Sequence, residues 1–241
     1  MSTSSRRAFL AAAVAVPTTA FILSVTSGTA SAAGYQWGRT LAQGDSGEDV
    51  SQLQIRVSGY PGYDSAIAID GAFGPHTHAA VVGFQQAYGL AADGVFGPNS
   101  RATMDSLQSP DNTPIHFTYG EMNGCNSTWE GGKVGGATAM FNALICMWKL
   151  EAMRHALGDQ PIVISSGFRD ANCNAAAGGA SDSRHMYGDA ADLIGSHSFC
   201  TMASQARYHG FRQILGPGFP GHNDHTHVDS GSRHWSFPNC G

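Results

Sequence analysis

Ser183-Arg184-His185-Met186-Tyr187-Gly188-Asp189-Ala190-Ala191-Asp192 decides how the second half of the chain is read. It places a histidine and an aspartate seven residues apart, with the small residues Gly188 and Ala190 between them. Ala190 to Ile194 reads as a short strand that carries Asp192. Pro161 to Ile164 is a β-branched run and a second strand candidate, and Thr226-His227-Val228 is a third. Between the linker and these strands, residues 136 to 157 show helical apolar spacing and stop at Gly158. Thr118-x-x-Glu121 is a capping-box pattern at an earlier helix start. One long helix with short strands predicts an α+β domain over 115–241 with a small antiparallel sheet.

A later stretch, His222-Asn223-Asp224-His225-Thr226-His227, supplies more histidines. Residues i and i+2 of a strand face the same way, so His225 and His227 can reach one metal. A bare His-x-His pair is weak, and His185 with Asp192 strengthens it. Catalytic zinc takes three protein ligands of nitrogen and carboxylate type, plus a water. Two histidines and one aspartate leave the ion about one positive charge, enough to acidify its water. Ser165-Ser166-Gly167-Phe168-Arg169 brings an arginine just after a strand.

The first half has a different character. Ile69-Asp70-Gly71-Ala72-Phe73-Gly74-Pro75 recurs 23 residues later as Ala92-Asp93-Gly94-Val95-Phe96-Gly97-Pro98. Each Asp-Gly signals a turn, and each proline suits the first position of a helix. With an earlier helix carrying Val50, Leu53 and Val57, residues 36–108 predict a small three-helix bundle. The polar, proline-flanked residues 109–114 read as a linker. The fold class is therefore multidomain.

At the start, Arg6-Arg7 precedes an apolar run broken by Pro17-Thr18-Thr19, and Ala30-Ser31-Ala32 offers a cleavage site. Residues 1–32 read as a twin-arginine signal peptide, since no apolar stretch reaches the ~20 residues that span a bilayer. Removing Arg6 and Arg7 takes the net charge from -5 to -7, which argues against nucleic acid as a partner. The chain is read as a secreted or wall-located monomer without stable membrane insertion. All five cysteines lie in the second half, and export makes disulfides the default. Five is odd, and Cys146, inside the helical apolar pattern, is the best candidate for a free thiol.

Two resemblances go further. Leu41, Gly44, Gly47, Val50 and Leu53-Gln54, then Asp-Gly-x-Phe-Gly-Pro and Phe84-Gln85, resemble the peptidoglycan-binding module of many wall hydrolases. Ser-x-His-x-x-Gly-x-Ala-x-Asp followed by Asp-His-x-His is similar to the signature of the zinc D-alanyl-D-alanine carboxypeptidases. These are VanX/VanY-like enzymes of the fold group that includes lysostaphin and sonic hedgehog. The resemblance implies one zinc per chain, held by His185, Asp192 and His227. It implies Asp224 as the general base, at the start of the last strand, and His225 as a supporting donor. Arg169 would support the substrate or the charged intermediate, and Ser183 would join it in substrate binding. It also implies Cys125–Cys173 and Cys200–Cys240 disulfides, with Cys146 outside that pattern. The partners it implies are peptidoglycan stem peptides and the glycan wall.

Rival chemistries are narrowed by motifs that are missing. No Ser-x-x-Lys precedes Lys133 or Lys149, which argues against a serine peptidase of this specificity. There is no His-Glu-x-x-His. Two readings stay open beside the carboxypeptidase: an endopeptidase cutting an internal stem or cross-bridge bond, and a non-catalytic wall-binding protein with structural zinc.

Overall fold

The computed structural model describes residues 34–125 and 128–241, so the signal-peptide reading of 1–32 lies outside the described residues. Three helices form in the first part, α1 (Glu48–Val57), α2 (Pro75–Ala87) and α3 (Pro98–Leu107). Pro75 and Pro98 each open a helix from a glycine with extended backbone, Gly74 and Gly97. The sequence repeat is also a repeated hydrogen-bond lock. Gln54 from α1 donates to Asp70 Oδ1 at 2.8 Å and accepts from the Gly71 amide at 2.9 Å. Gln85 from α2 does the same with Asp93 at 2.9 Å and Gly94 at 2.9 Å. Gly71 and Gly94 sit at φ 70° and 72°, the left-handed region where a side chain is strained. Leu41, Leu53, Phe73, Phe84 and Phe96 fill the space between, all buried.

The segment read as a linker is pinned. The Asn112 carbonyl accepts from Trp148 Nε1 at 3.0 Å, and its side-chain oxygen accepts from the Tyr35 amide at 2.7 Å and Arg56 Nη2 at 2.8 Å. The described residues belong to one compact unit.

The second part contains α4 (Tyr119–Met122), α5 (Gly136–Ala156), β1 (Ile162–Ser166), α6 (Ala171–Ala176), β2 (Ala190–Gly195), α7 (Phe199–Ala206), β3 (Gln213–Leu215), β4 (Thr226–Asp229) and β5 (His234–Ser236). Thr118 and Glu121 form the reciprocal capping box at α4. Helix α5 is buried on every side from Cys146 to Arg154, the apolar Met147, Trp148, Leu150 and Met153 together with the charged Lys149, Glu151 and Arg154, as befits a helix at the centre of a core.

The five strands are ordered β1-β2-β4-β3-β5. The sheet is mixed, which corrects the antiparallel expectation: β1, β2, β4 and β3 pair antiparallel, but β5 runs parallel to β3. The reason is positional. Strand β4 is already flanked by β2 and β3, so the chain leaving it reverses onto the nearer free edge, that of β3, one strand away, rather than that of β1, two strands away. Running against β4 there makes β5 parallel to β3.

Two disulfides, Cys125–Cys173 and Cys200–Cys240, are present, and Cys146 is free and buried. Among the described residues, no helix is long and apolar enough to cross a membrane.

Candidate metal centre

Sheet register brings the site together. Asp192 on β2 lies opposite His227 on β4, and Leu215 on β3 lies on the far side of His227. His185 comes from the 3-10 turn Arg184–Tyr187, which ends at Gly188 in the left-handed conformation with φ 80°. A Cβ on Gly188 would collide with the Ala139 carbonyl of α5, so glycine alone lets the turn close against that helix before β2 begins.

His185, Asp192 and His227 are buried, and their donor atoms all lie within 4.8 Å of one another. His185 Nε2 is 3.2 Å from Asp192 Oδ1 and 3.2 Å from His227 Nδ1. His227 Nδ1 is 2.8 Å from Asp192 Oδ1. Both rings are oriented from behind. His185 Nδ1 donates to the Gly167 carbonyl at 2.6 Å, which leaves Nε2 to face the cluster. His227 Nε2 donates to Asp229 Oδ2 at 2.9 Å, which leaves Nδ1 to face it. Such outer hydrogen bonds set the tautomer and aim of metal-binding histidines.

Two imidazole lone pairs and a carboxylate in contact repel unless a cation or a proton joins them. The protonation preferences of the metal-free cluster follow from this. Burial pushes the His185 imidazolium down, and its bond to Asp192 does not offset that. Burial also acts against charge on His227, but Asp192 and Asp229 outweigh it and push the group up to about 9. Burial would raise the Asp192 carboxyl, yet the bonds from His185 and His227 hold it well below the usual range.

The remaining expected residues surround this cluster differently. Arg169 donates from Nη2 to Asp192 Oδ2 at 2.7 Å and from Nε to Ser166 Oγ at 2.8 Å. Its guanidinium therefore holds the aspartate while also lining the cleft. Asp224 sits just ahead of β4 with its side chain 88 % exposed, and its Oδ1 is 2.8 Å from His225 Nδ1. That bond from His225 holds the Asp224 carboxyl below its ordinary range. His225 turns its Nε2 to 3.5 Å from Asp192 Oδ1. The cluster thus meets Asp224 through His225 rather than directly. Ser183 precedes the 3-10 turn and lines the same cleft.

Two participants were not assigned a part from sequence. Asp229 is fully buried, and its Oδ1 is tied down by the Gly231 amide at 2.7 Å. Its position two residues beyond His227 on one strand is the signal that could have found it. His222 donates from Nδ1 to the Pro220 carbonyl at 2.9 Å, and its ring lies 4.8 Å from that of His225. Arg184, which lines the cleft, forms an ion pair with the buried Asp189. The cleft holds about 700 Å³, walled by the 177–180 loop and by Phe219 to His222, within the range that admits a short peptide.

Residues 115–229 match the Peptidase M15 family, and residues 46–104 match the peptidoglycan binding domain family. The chain is 59% identical over 231 residues to the Zinc D-Ala-D-Ala carboxypeptidase of Streptomyces albus G, a match covering 95% of this chain and 90% of that relative. Among solved structures, a peptidoglycan-binding protein from Clostridioides difficile is 37% identical over 30% of this chain and 43% of its own, at a TM-score of 0.26. A fused Zn-dependent amidase/peptidase/peptidoglycan-binding domain protein from Clostridium acetobutylicum ATCC 824 is 35% identical over 31% of each chain, at 0.25. This chain spans less than half of either protein, and at those scores neither bears on its fold.

Proposed function

The chain belongs to the peptidase M15 family, and on that premise we propose that it is a zinc D-Ala-D-Ala carboxypeptidase that trims peptidoglycan stem peptides. The observation that carries the reading is the buried cluster of His185, Asp192 and His227 on the floor of an open cleft. The donor set fits zinc: two imidazole nitrogens and one carboxylate oxygen converge, and each imidazole is already aimed by a hydrogen bond on its other nitrogen. These three residues would hold one ion per chain. When bound, zinc acidifies a water and polarises the scissile carbonyl.

The chain's own groups do the rest. Asp224 and His225 act as a hydrogen-bonded pair at the cleft edge, with Asp224 the base and His225 the link to the cleft. The pair takes a proton from the attacking water and returns it to the departing D-alanine amine as the C–N bond breaks. Arg169 keeps Asp192 Oδ2 engaged so that Oδ1 faces the two imidazoles. Its positive charge at the cleft wall also favours the oxyanion of the tetrahedral intermediate. Ser183 lies where it can meet the substrate backbone.

Residues 36–108 form a three-helix module that holds the enzyme to the wall, 109–114 connect, and 115–241 carry the chemistry. Peptidoglycan is the partner, and the place of action is outside the cell, reached by twin-arginine export of a chain that then works as a monomer. Mass spectrometry of a digested stem pentapeptide, with and without a chelator, is the test. Chelator-sensitive loss of a single alanine is expected. Cleavage at an internal bond would replace the carboxypeptidase reading with an endopeptidase. Bound zinc with no hydrolysis of any muropeptide would leave a wall-binding protein.

A further inference from the structure

Building on the wall-binding reading above, we propose that the seam between the N-terminal helical segment and the C-terminal segment is a saccharide-binding surface, centred on Tyr63 and Tyr208, that takes pyranose rings of the glycan strand. Among the described residues only five large hydrophobic side chains are exposed, and Tyr63 at 54% and Tyr208 at 44% are two of them. They come from different segments of the chain, yet their ring centroids are 5.1 Å apart. Trp235 on β5 meets Tyr63 edge-on at 5.6 Å, which makes a three-ring surface. Exposed apolar surface gathered in one place marks an interaction site more than the same area scattered.

Guanidinium groups brace two of the rings from one face: that of Arg207 lies over Tyr63, 5.8 Å from its centre, and that of Arg233 over Trp235, 4.3 Å from its centre. Arg233 Nε donates to Asp64 Oδ1 at 2.7 Å, so donors and an acceptor stand side by side. The two halves are held in register. The Asp64 amide donates to the Arg207 carbonyl at 2.9 Å, and His209 Nδ1 donates to the Gly59 carbonyl at 2.7 Å. A groove of about 380 Å³ continues from this surface, with Gly62 and Tyr208 on its rim, Gln86 of α2 on one wall and His155 of α5 on the other.

This chemistry suits a sugar polymer. A pyranose ring has an apolar C–H face and an equatorial rim of hydroxyls. Flat amphipathic rings cover the first, and guanidinium, carboxylate and amide groups bond the second. An aromatic surface running into a groove across two segments suits an extended chain better than a compact ligand. Strand β5 turns Trp235 to the seam: Trp235 lies opposite the buried Ile214, whereas Gln213 and Leu215 on either side of Ile214 face the catalytic cleft. The surface therefore lies on the face of the sheet away from the cleft, where a bound glycan strand anchors the enzyme and leaves the cleft free.

The test uses the zinc-loaded chain and a Tyr63→Ala/Tyr208→Ala double variant, with Tyr63→Phe/Tyr208→Phe as the conservative partner. Three readings are taken: D-alanine release from a soluble pentapeptide, retention on purified insoluble sacculi, and tyrosine fluorescence titrated with a soluble N-acetylglucosamine tetramer. The alanine variant should process the pentapeptide as the parent does, bind sacculi about ten-fold more weakly, and lose the response to the tetramer. The phenylalanine variant should keep most of the sacculus binding. Unchanged sacculus binding by the alanine variant overturns the surface and leaves the carboxypeptidase reading standing. A parent inactive on the pentapeptide overturns that reading instead. A parent that sediments as a dimer, with a monomeric alanine variant that still binds sacculi, assigns the surface to a second copy of the chain and overturns the proposal.

Discussion

Asp229→Ala should weaken zinc binding, and its size should depend on pH in a way that separates two opposed effects. The substitution strands the Nε2–H of His227 in a buried position that Asp229 Oδ2 now fills at 2.9 Å. An unsatisfied buried donor costs about 1–3 kcal/mol. Outer partners of metal-binding histidines are worth about ten- to a hundred-fold in metal affinity, or about 1.4–2.8 kcal/mol. Against this, Asp229 helps push His227 up to about 9, so at neutral pH the ion must displace a proton. At about pH 7 that competition is worth roughly two pK units, about 2.7 kcal/mol. Removing Asp229 relaxes it.

The two effects therefore offset near neutrality and part company above about pH 9, where His227 has already lost its proton. Competition with a chromophoric chelator across that window is the assay. The parent should bind zinc about ten-fold more tightly per pH unit up to about pH 9 and then level off. Asp229→Ala should rise less steeply and end about ten- to a hundred-fold weaker on the plateau. Asp229→Asn, whose amide oxygen can still accept from Nε2, should fall between them. The metal-free proteins supply the control. A raised folded pKa contributes stability that is full below about 6.5 and is lost as pH climbs through about 9, so the metal-free parent should soften over that range and the alanine variant much less. Superimposable zinc curves above pH 9 would refute the assignment of Asp229 as the residue that aims His227.

Three other outcomes follow from groups away from the cluster. Burial pushes His209, at the seam, down to about 4, below its unfolded value, so the unfolded chain takes up the proton first as pH falls. Stability should drop by about 3 kcal/mol between about pH 6.5 and pH 4 and no further from this source; urea midpoints of the parent and His209→Asn, with equal slopes against pH, would count against it. Burial pushes the Cys146 thiol up to about 12, so a thiol reagent should leave the folded protein untouched at neutral pH and find one thiol per chain after unfolding without reductant. The Cys200–Cys240 bridge closes a 40-residue separation and secures the turn whose Asn239 amide donates to the Pro217 carbonyl beside the cleft wall. Cys240→Ser should lower stability by about 4 kcal/mol and raise KM for the pentapeptide, a pair of effects read from denaturation and steady-state kinetics.

What could be read from residues alone divides along the range of the physics involved. The capping box at Thr118, the proline-led helices at Pro75 and Pro98, and the long apolar helix are local, and each was legible because a few neighbouring residues determine it. The ligand set of His185, Asp192 and His227 came from the resemblance rather than from periodicity, which paired His225 with His227. His225 lies just outside β4, and what brings the three ligands together is a turn ending in Gly188 that leads straight into the strand of Asp192, opposite His227. Strands β3 and β5 were not read, because three residues carry no periodic signal and their place depends on which edge of β4 is already taken. The parts assigned to Arg169 and Asp224 needed the same long-range information. The register shift between Ile164 and Ser166 occurs just before Arg169, whose guanidinium meets Asp192 across the strands. Asp224 lies outside the ladder and meets the cleft through His225. The segment read as a linker shows the limit most clearly. Its composition describes a free connector, yet Trp148, Arg56 and Tyr35, distant in sequence, all bond to Asn112. A polar loop is therefore only as free as the donors that fold around it, and those donors belong to the packing of the whole chain.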